Sequence, residues 1–139
     1  MTNKERRILL VDNEPDICLT FKEGLEGCNG YKVDAFEKPR EALQNFRAGK
    51  YDLILLDVKM PEMNGFQLYS EMKKIDSHVK ALFVTAAEIP PEEFGGRDDK
   101  GKYDHVEYSQ YYKLNKEMFL QKPIYLEDLT SKINLVLSN

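Results

Sequence analysis

Four side chains able to do chemistry stand at or just beyond the ends of short apolar runs. Asp12 follows Ile8-Leu9-Leu10-Val11, Asp57 follows Leu53-Ile54-Leu55-Leu56, Thr85 closes the stretch Val79 to Val84, and Lys122 comes shortly after Met118-Phe119-Leu120. Singly, each has an ordinary explanation. Asp12 would cap a following helix, Thr85 is a β-branched residue at home in a strand, and Lys122-Pro123 reads as a surface turn. Asp57 resists that treatment, because a charge beside a buried strand is costly unless it is paired. Taken together the four describe a site. Two carboxylates facing one crevice suit a hard divalent cation, a lysine adds a compact positive charge, and a threonine adds a small hydroxyl.

The elements that must position these groups are legible as alternating signals. Continuous aliphatic runs of strand length read as strands buried on both faces of a parallel sheet. After Ile8 to Val11, Pro15 opens a helix in which Ile17, Phe21, Leu25 and Cys28 recur at helical spacing until Asn29-Gly30. Tyr31, Val33 and Ala35 alternate as in a strand nearer the sheet edge. Lys38-Pro39 begins a helix carrying Ala42, Leu43 and Phe46, with Gly49 as its end. Asn64-Gly65 punctuates the loop after Asp57, and a helical stripe runs from Phe66 to Ile75. The last helix carries Leu126, Leu129, Ile133 and Val136. Strand and helix repeated five times, (βα)5, predict an α/β fold with a doubly wound, five-stranded parallel sheet. In such a sheet the C-terminal strand tips share one edge, so the four groups converge.

Composition sets the bounds. The chain has 139 residues, 42% hydrophobic and 32% charged, which suits a single domain over 1–139. A net charge of −4 argues against direct nucleic-acid binding, which needs a basic face. There is no apolar stretch of spanning length and no signal-peptide pattern, so the expectation is a cytoplasmic protein without a membrane partner. Two cysteines, Cys18 and Cys28, have no metal spacing and make no disulfide framework. The interval from Thr85 to Lys122 exceeds the roughly 20–25 residues that a helix, two connections and a short strand require. Its excess, within 88–116, is charged and glycine-rich and carries Tyr103, Tyr108, Tyr111 and Tyr112. It reads either as a surface insertion or, since Tyr108, Tyr111 and Tyr112 lie at helical spacing, as part of a partner face.

Ile8 to Ile17, Tyr51 to Pro61 with Asn64-Gly65, Phe83 to Ala86, and Lys122-Pro123 together resemble the receiver domain of two-component response regulators, the family of the chemotaxis response regulator. The resemblance covers nearly the whole chain outside Glu88 to Lys116. It implies the flavodoxin-like strand order 2-1-3-4-5 and a signalling switch, expected to stand alone because Leu126 to Asn139 is too short for an output domain. By that resemblance Asp57 is the phosphoacceptor. Asp12, Asp57 and the backbone carbonyl of Lys59 would hold Mg²⁺ or Mn²⁺, with Asn13 as a further ligand. Lys122 would contact the phosphoryl group, Thr85 would be the switch hydroxyl, Phe119 the switch aromatic that turns inward, and Ala86 would leave room for the phosphoryl group. The donor would be a sensor histidine kinase, and output would pass to an unknown downstream protein. The chain would then catalyse its own phosphoryl transfer and dephosphorylation rather than turn over a substrate.

The family usually has two adjacent acids after the first strand, and here the second is Asn13. An amide oxygen ligates without charge, so weaker metal binding is expected unless Glu14 turns inward. This departure keeps a second reading open, a degenerate receiver used as a phosphorylation-independent binding module. A phosphatase with an aspartate nucleophile would want an acid two residues after Asp57, where Lys59 stands. A flavin carrier would want a Gly/Ser/Thr-rich loop after the first strand, and Asn13-Glu14-Pro15 is not one.

Overall fold

The aliphatic runs and helical stripes fold as alternating strands and helices in the computed structural model, which describes residues 5–85 and 116–138. The elements are β1 (Arg7–Val11), α1 (Pro15–Asn29), β2 (Lys32–Phe36), α2 (Pro39–Asn45), β3 (Leu53–Asp57), α3 (Gly65–Ile75), β4 (Lys80–Thr85), β5 (Phe119–Gln121) and α4 (Leu126–Leu137). A 3₁₀ turn, Lys116–Met118, leads into β5. All strand pairs are parallel, in the order β2-β1-β3-β4-β5. The helix expected between β4 and β5, Ala86 and the tyrosines of the 88–116 segment lie outside the described residues.

Alternation along the strands splits the core into two layers. Leu9, Val11, Ile54, Leu56, Ala81 and Phe83 meet Ala42, Phe66, Leu68 and Met72 from α2 and α3. Ile8, Leu10, Leu53, Leu55, Leu82 and Val84 meet Phe21, Leu25, Leu129 and Ile133 from α1 and α4. Covering both faces is what lets β3 consist of Leu-Ile-Leu-Leu-Asp with every residue buried.

Local signals set most boundaries. Pro15 occupies the start of α1, and Gly30 closes it in the left-handed region at φ 70. Asn64 caps α3 reciprocally with Gln67: the Gln67 amide donates to the Asn64 side chain at 2.8 Å, and the Asn64 amide to Gln67 Oε1 at 2.9 Å. One boundary differs from expectation. α2 ends at Asn45 rather than at Gly49, because Phe46 leaves the helix with extended backbone and buries its ring against Tyr51, centroids 6.0 Å apart. Gly49, at φ 78, serves the following turn instead.

Register aligns the strand ends. Val11 pairs with Leu56, so Asp12 and Asp57 stand next to each other one step further on. Asp57 pairs with Val84, placing Thr85 one residue beyond. Thr85 pairs with Gln121, and the amide of Lys122 donates to the Thr85 carbonyl at 2.8 Å. β1 lies between β2 and β3, so chain direction across the sheet reverses there, the place where open α/β sheets leave a crevice.

Candidate functional site

Asp12, Asp57 and Thr85 are 2%, 6% and 0% exposed, and among the described residues they make up the buried polar and charged set. Buried polar chemistry is therefore concentrated at one rim of the sheet. Lys122 reaches across it with a side chain only 9% exposed. Its ammonium donates to Asp12 Oδ2 at 2.6 Å and to Glu14 Oε1 at 3.1 Å, and stands 3.8 Å from Asp57 Oδ2. Four of the expected residues thus meet at the tips of β1, β3, β4 and β5. The Lys122–Pro123 peptide is cis.

The electrostatics follow from burial. Removal from water, and then the negative charge of Asp12, push the Asp57 carboxyl up to about 6; Lys122 and hydrogen bonds from the Val58 and Lys59 amides oppose this without cancelling it. Burial works to lower the Lys122 pKa. The hydrogen bond and charge of Asp12, the charge of Asp57 and the bond to Glu14 outweigh it, and the net shift is upward. The ammonium is therefore firmly charged. Two buried carboxylates share one cation, and their remaining repulsion is what a divalent ion would relieve. Among the described residues no cluster of three His, Cys, Asp or Glu side chains is suited to hold a metal. Asp12 and Asp57 are then the anionic ligands at hand, which fits Mg²⁺, a cation that commonly binds through one or two carboxylates and keeps several waters.

The other expected residues sort differently. Asn13 is exposed, and it lines an outer groove with Glu37, Lys38, Pro39, Pro61 and Glu62. Lys59 presents its side chain to solvent while its amide serves Asp57. Phe119 is already buried, 7% exposed, stacked on Phe83 with centroids 5.2 Å apart and tilted on Phe66 at 5.8 Å. The ring lies inward in this conformation. A phenyl ring has no polar group to hold it at the surface, and Phe66 and Phe83 offer it an aromatic bed. Cys18 is buried, donates its thiol to the Asp12 carbonyl at 3.2 Å, and is pushed up to about 11 mainly by burial, so it is an inert helix residue.

Gly65 was legible only as punctuation. A Cβ there would lie 2.3 Å from the Asp57 carbonyl oxygen, and the Gly65 amide donates to the Val58 carbonyl at 2.8 Å. The residue lets α3 begin directly against the strand tip that carries Asp57. Asn followed by Gly at a helix start is the signal that marks it, but close approach to a strand is not a local property. Glu14 enters the sequence reading only as a residue that could turn inward to support the metal; its side chain is instead 59% exposed and accepts from Lys122 at 3.1 Å.

The model of the response regulator receiver domain family matches residues 8–94, more than half of the chain. The transcriptional regulatory protein CiaR of Streptococcus pneumoniae is 36% identical over 97 residues, covering 70% of this chain and 37% of CiaR. The response regulator receiver protein CpdR of Brucella abortus is 29% identical over 135 residues, covering 95% of this chain and 97% of CpdR. The chain spans about half the length or less of several other transcriptional regulators it matches. Among solved structures, the non-phosphorylated HemR receiver domain from Leptospira biflexa superposes with a TM-score of 0.75 at 28% identity, covering 97% of this chain and 96% of that one.

Proposed function

The chain belongs to the response regulator receiver domain family, and from that premise we propose that it is a switch in which Asp57 accepts a phosphoryl group from a sensor histidine kinase. A downstream protein then reads the change through surface contacts, in a cytoplasmic setting. The observation that carries the reading is the set of three buried polar side chains, Asp12, Asp57 and Thr85, at one rim, with Lys122 bridging the two carboxylates.

The chemistry asks little of the protein beyond positioning and charge. An Asp57 carboxylate oxygen attacks the phosphorus of a phosphohistidine, the new O–P bond forming as the P–N bond breaks and the imidazole leaves. The Val58 and Lys59 amides orient the carboxyl. Lys122, a few ångströms away, offsets negative charge on the incoming oxygens. Thr85, at the tip of the neighbouring strand, supplies a hydroxyl to the modified carboxyl. Mg²⁺, when bound, neutralises the transferring oxygens. Asp12, Asp57 and the Lys59 carbonyl would hold it, and Asn13, exposed at the rim, would contribute no charge.

Incubation with a small-molecule phosphodonor and Mg²⁺ is expected to add one phosphoryl group to the wild type and none to Asp57→Asn, read by intact mass. Equal uptake by both would overturn the acceptor assignment. The burial of Phe119 and the missing second acid favour one alternative, a phosphorylation-independent binding module. No uptake by the wild type, with partner binding intact, would select it.

A further inference from the structure

Lys122 divides its hydrogen bonds unevenly. Two of its three donors go to Asp12 at 2.6 Å and to Glu14 at 3.1 Å, while Asp57 is 3.8 Å away, an ion pair without a hydrogen bond. The turn after β1 arranges this. The Glu14 amide donates to Asp12 Oδ1 at 2.9 Å, an Asx turn that brings the two side chains to the same lysine while Asn13 faces the outer groove. Glu14 also stands at the N-cap of α1, where a side chain ordinarily bonds the first turn of its own helix. Its side chain makes no such bond, and reaches instead a residue 108 positions away in sequence.

We propose that Glu14 is a positioning residue that holds the Lys122 ammonium on the Asp12 side of the pocket and competes for it with a phosphoryl group on Asp57. This rests on Asp57 as the acceptor. The two ends of the tether differ in character. Lys122 is nearly buried, whereas the Glu14 side chain is 59% exposed. An exposed carboxylate gains little from an ion pair and gives it up readily. Glu14 is therefore the contact that yields when the stronger oxygens of a phosphoryl group appear, and Asp12 is the one that persists.

Beryllofluoride, a phosphoryl mimic, provides the test. Its affinity at saturating Mg²⁺ is measured by fluorine NMR for wild type, Glu14→Gln, Glu37→Gln and Asp57→Asn, and Mg²⁺ affinity without the mimic by calorimetry. Removing the tether should tighten mimic binding roughly two- to fivefold, the strength of an exposed ion pair, and leave Mg²⁺ affinity within about twofold. Glu37→Gln removes an exposed charge of the outer groove that makes no ion pair with Lys122, and should bind the mimic as wild type does. Unchanged or weaker mimic binding in Glu14→Gln overturns the proposal. So does an equal gain in Glu37→Gln, which would make the effect one of overall charge, or a fall in Mg²⁺ affinity that would place Glu14 on the metal. If the wild type itself binds no mimic, the acceptor reading has failed, and the tether with it.

Discussion

Replacing Asp57 with asparagine should stabilise the metal-free protein at neutral pH and do so less as the pH falls. The carboxyl is 6% exposed, and its pKa rises from 3.8 to about 6, chiefly through burial and then through Asp12. A native pKa above the unfolded one means that the folded chain holds a proton which the unfolded chain releases. Stability therefore falls as pH rises through the window between those two values, and the cost is complete above it. At 1.36 kcal/mol per unit, ionising native Asp57 costs about 3 kcal/mol. The asparagine recovers part of this, because it satisfies the Val58 and Lys59 amides less fully and leaves Lys122 one anionic partner fewer. The expected gain is about 1–2 kcal/mol near pH 7.5, shrinking toward zero near pH 4. Urea unfolding in EDTA, followed by circular dichroism since the chain has no tryptophan, measures it at both pH values. A variant no more stable than wild type near pH 7.5, or equally stabilised at both, would refute the electrostatic reasoning.

Three further outcomes follow from the geometry. Gly65→Ala would force a Cβ to within 2.3 Å of the Asp57 carbonyl oxygen, so it should destabilise the fold by about 2 kcal/mol or more and slow phosphorylation, read by thermal melting and by phosphate uptake. Phe119→Ala should cost about 3 kcal/mol by emptying its place between Phe83 and Phe66, measured by urea unfolding; a loss below about 1 kcal/mol would show that the ring is not held inward. Asn13→Asp, which restores the second acid, should raise Mg²⁺ affinity on the order of tenfold, and calorimetry showing equal affinity would remove charge as the reason for weaker binding.

Much of this architecture is legible in the residues. Aliphatic runs ending in Asp12, Asp57 and Thr85 carry both the strands and their reactive tips, because a strand buried on both faces needs no partner to be recognised. Gly30 and Asn64 mark their helix ends for reasons that act within a turn. What was not legible depends on distant packing. Phe46 abandons α2 for Tyr51, a choice made by the core rather than by Gly49. Phe119 is inward because Phe66 and Phe83 surround it, from elements far away in sequence. Glu14 finds Lys122 across 108 positions, and no local pattern announces such a pair. The need for glycine at position 65 comes from its distance to a strand, although the residue itself stands in plain view.

The central claim is that the carboxyl of Asp57 becomes the acyl phosphate. Borohydride reduces an acyl phosphate to an alcohol, so the phosphorylated chain, reduced and digested, should yield a peptide with homoserine at position 57 and nowhere else. Homoserine at position 12, or a phosphoryl group that survives reduction on another residue, would contradict the account.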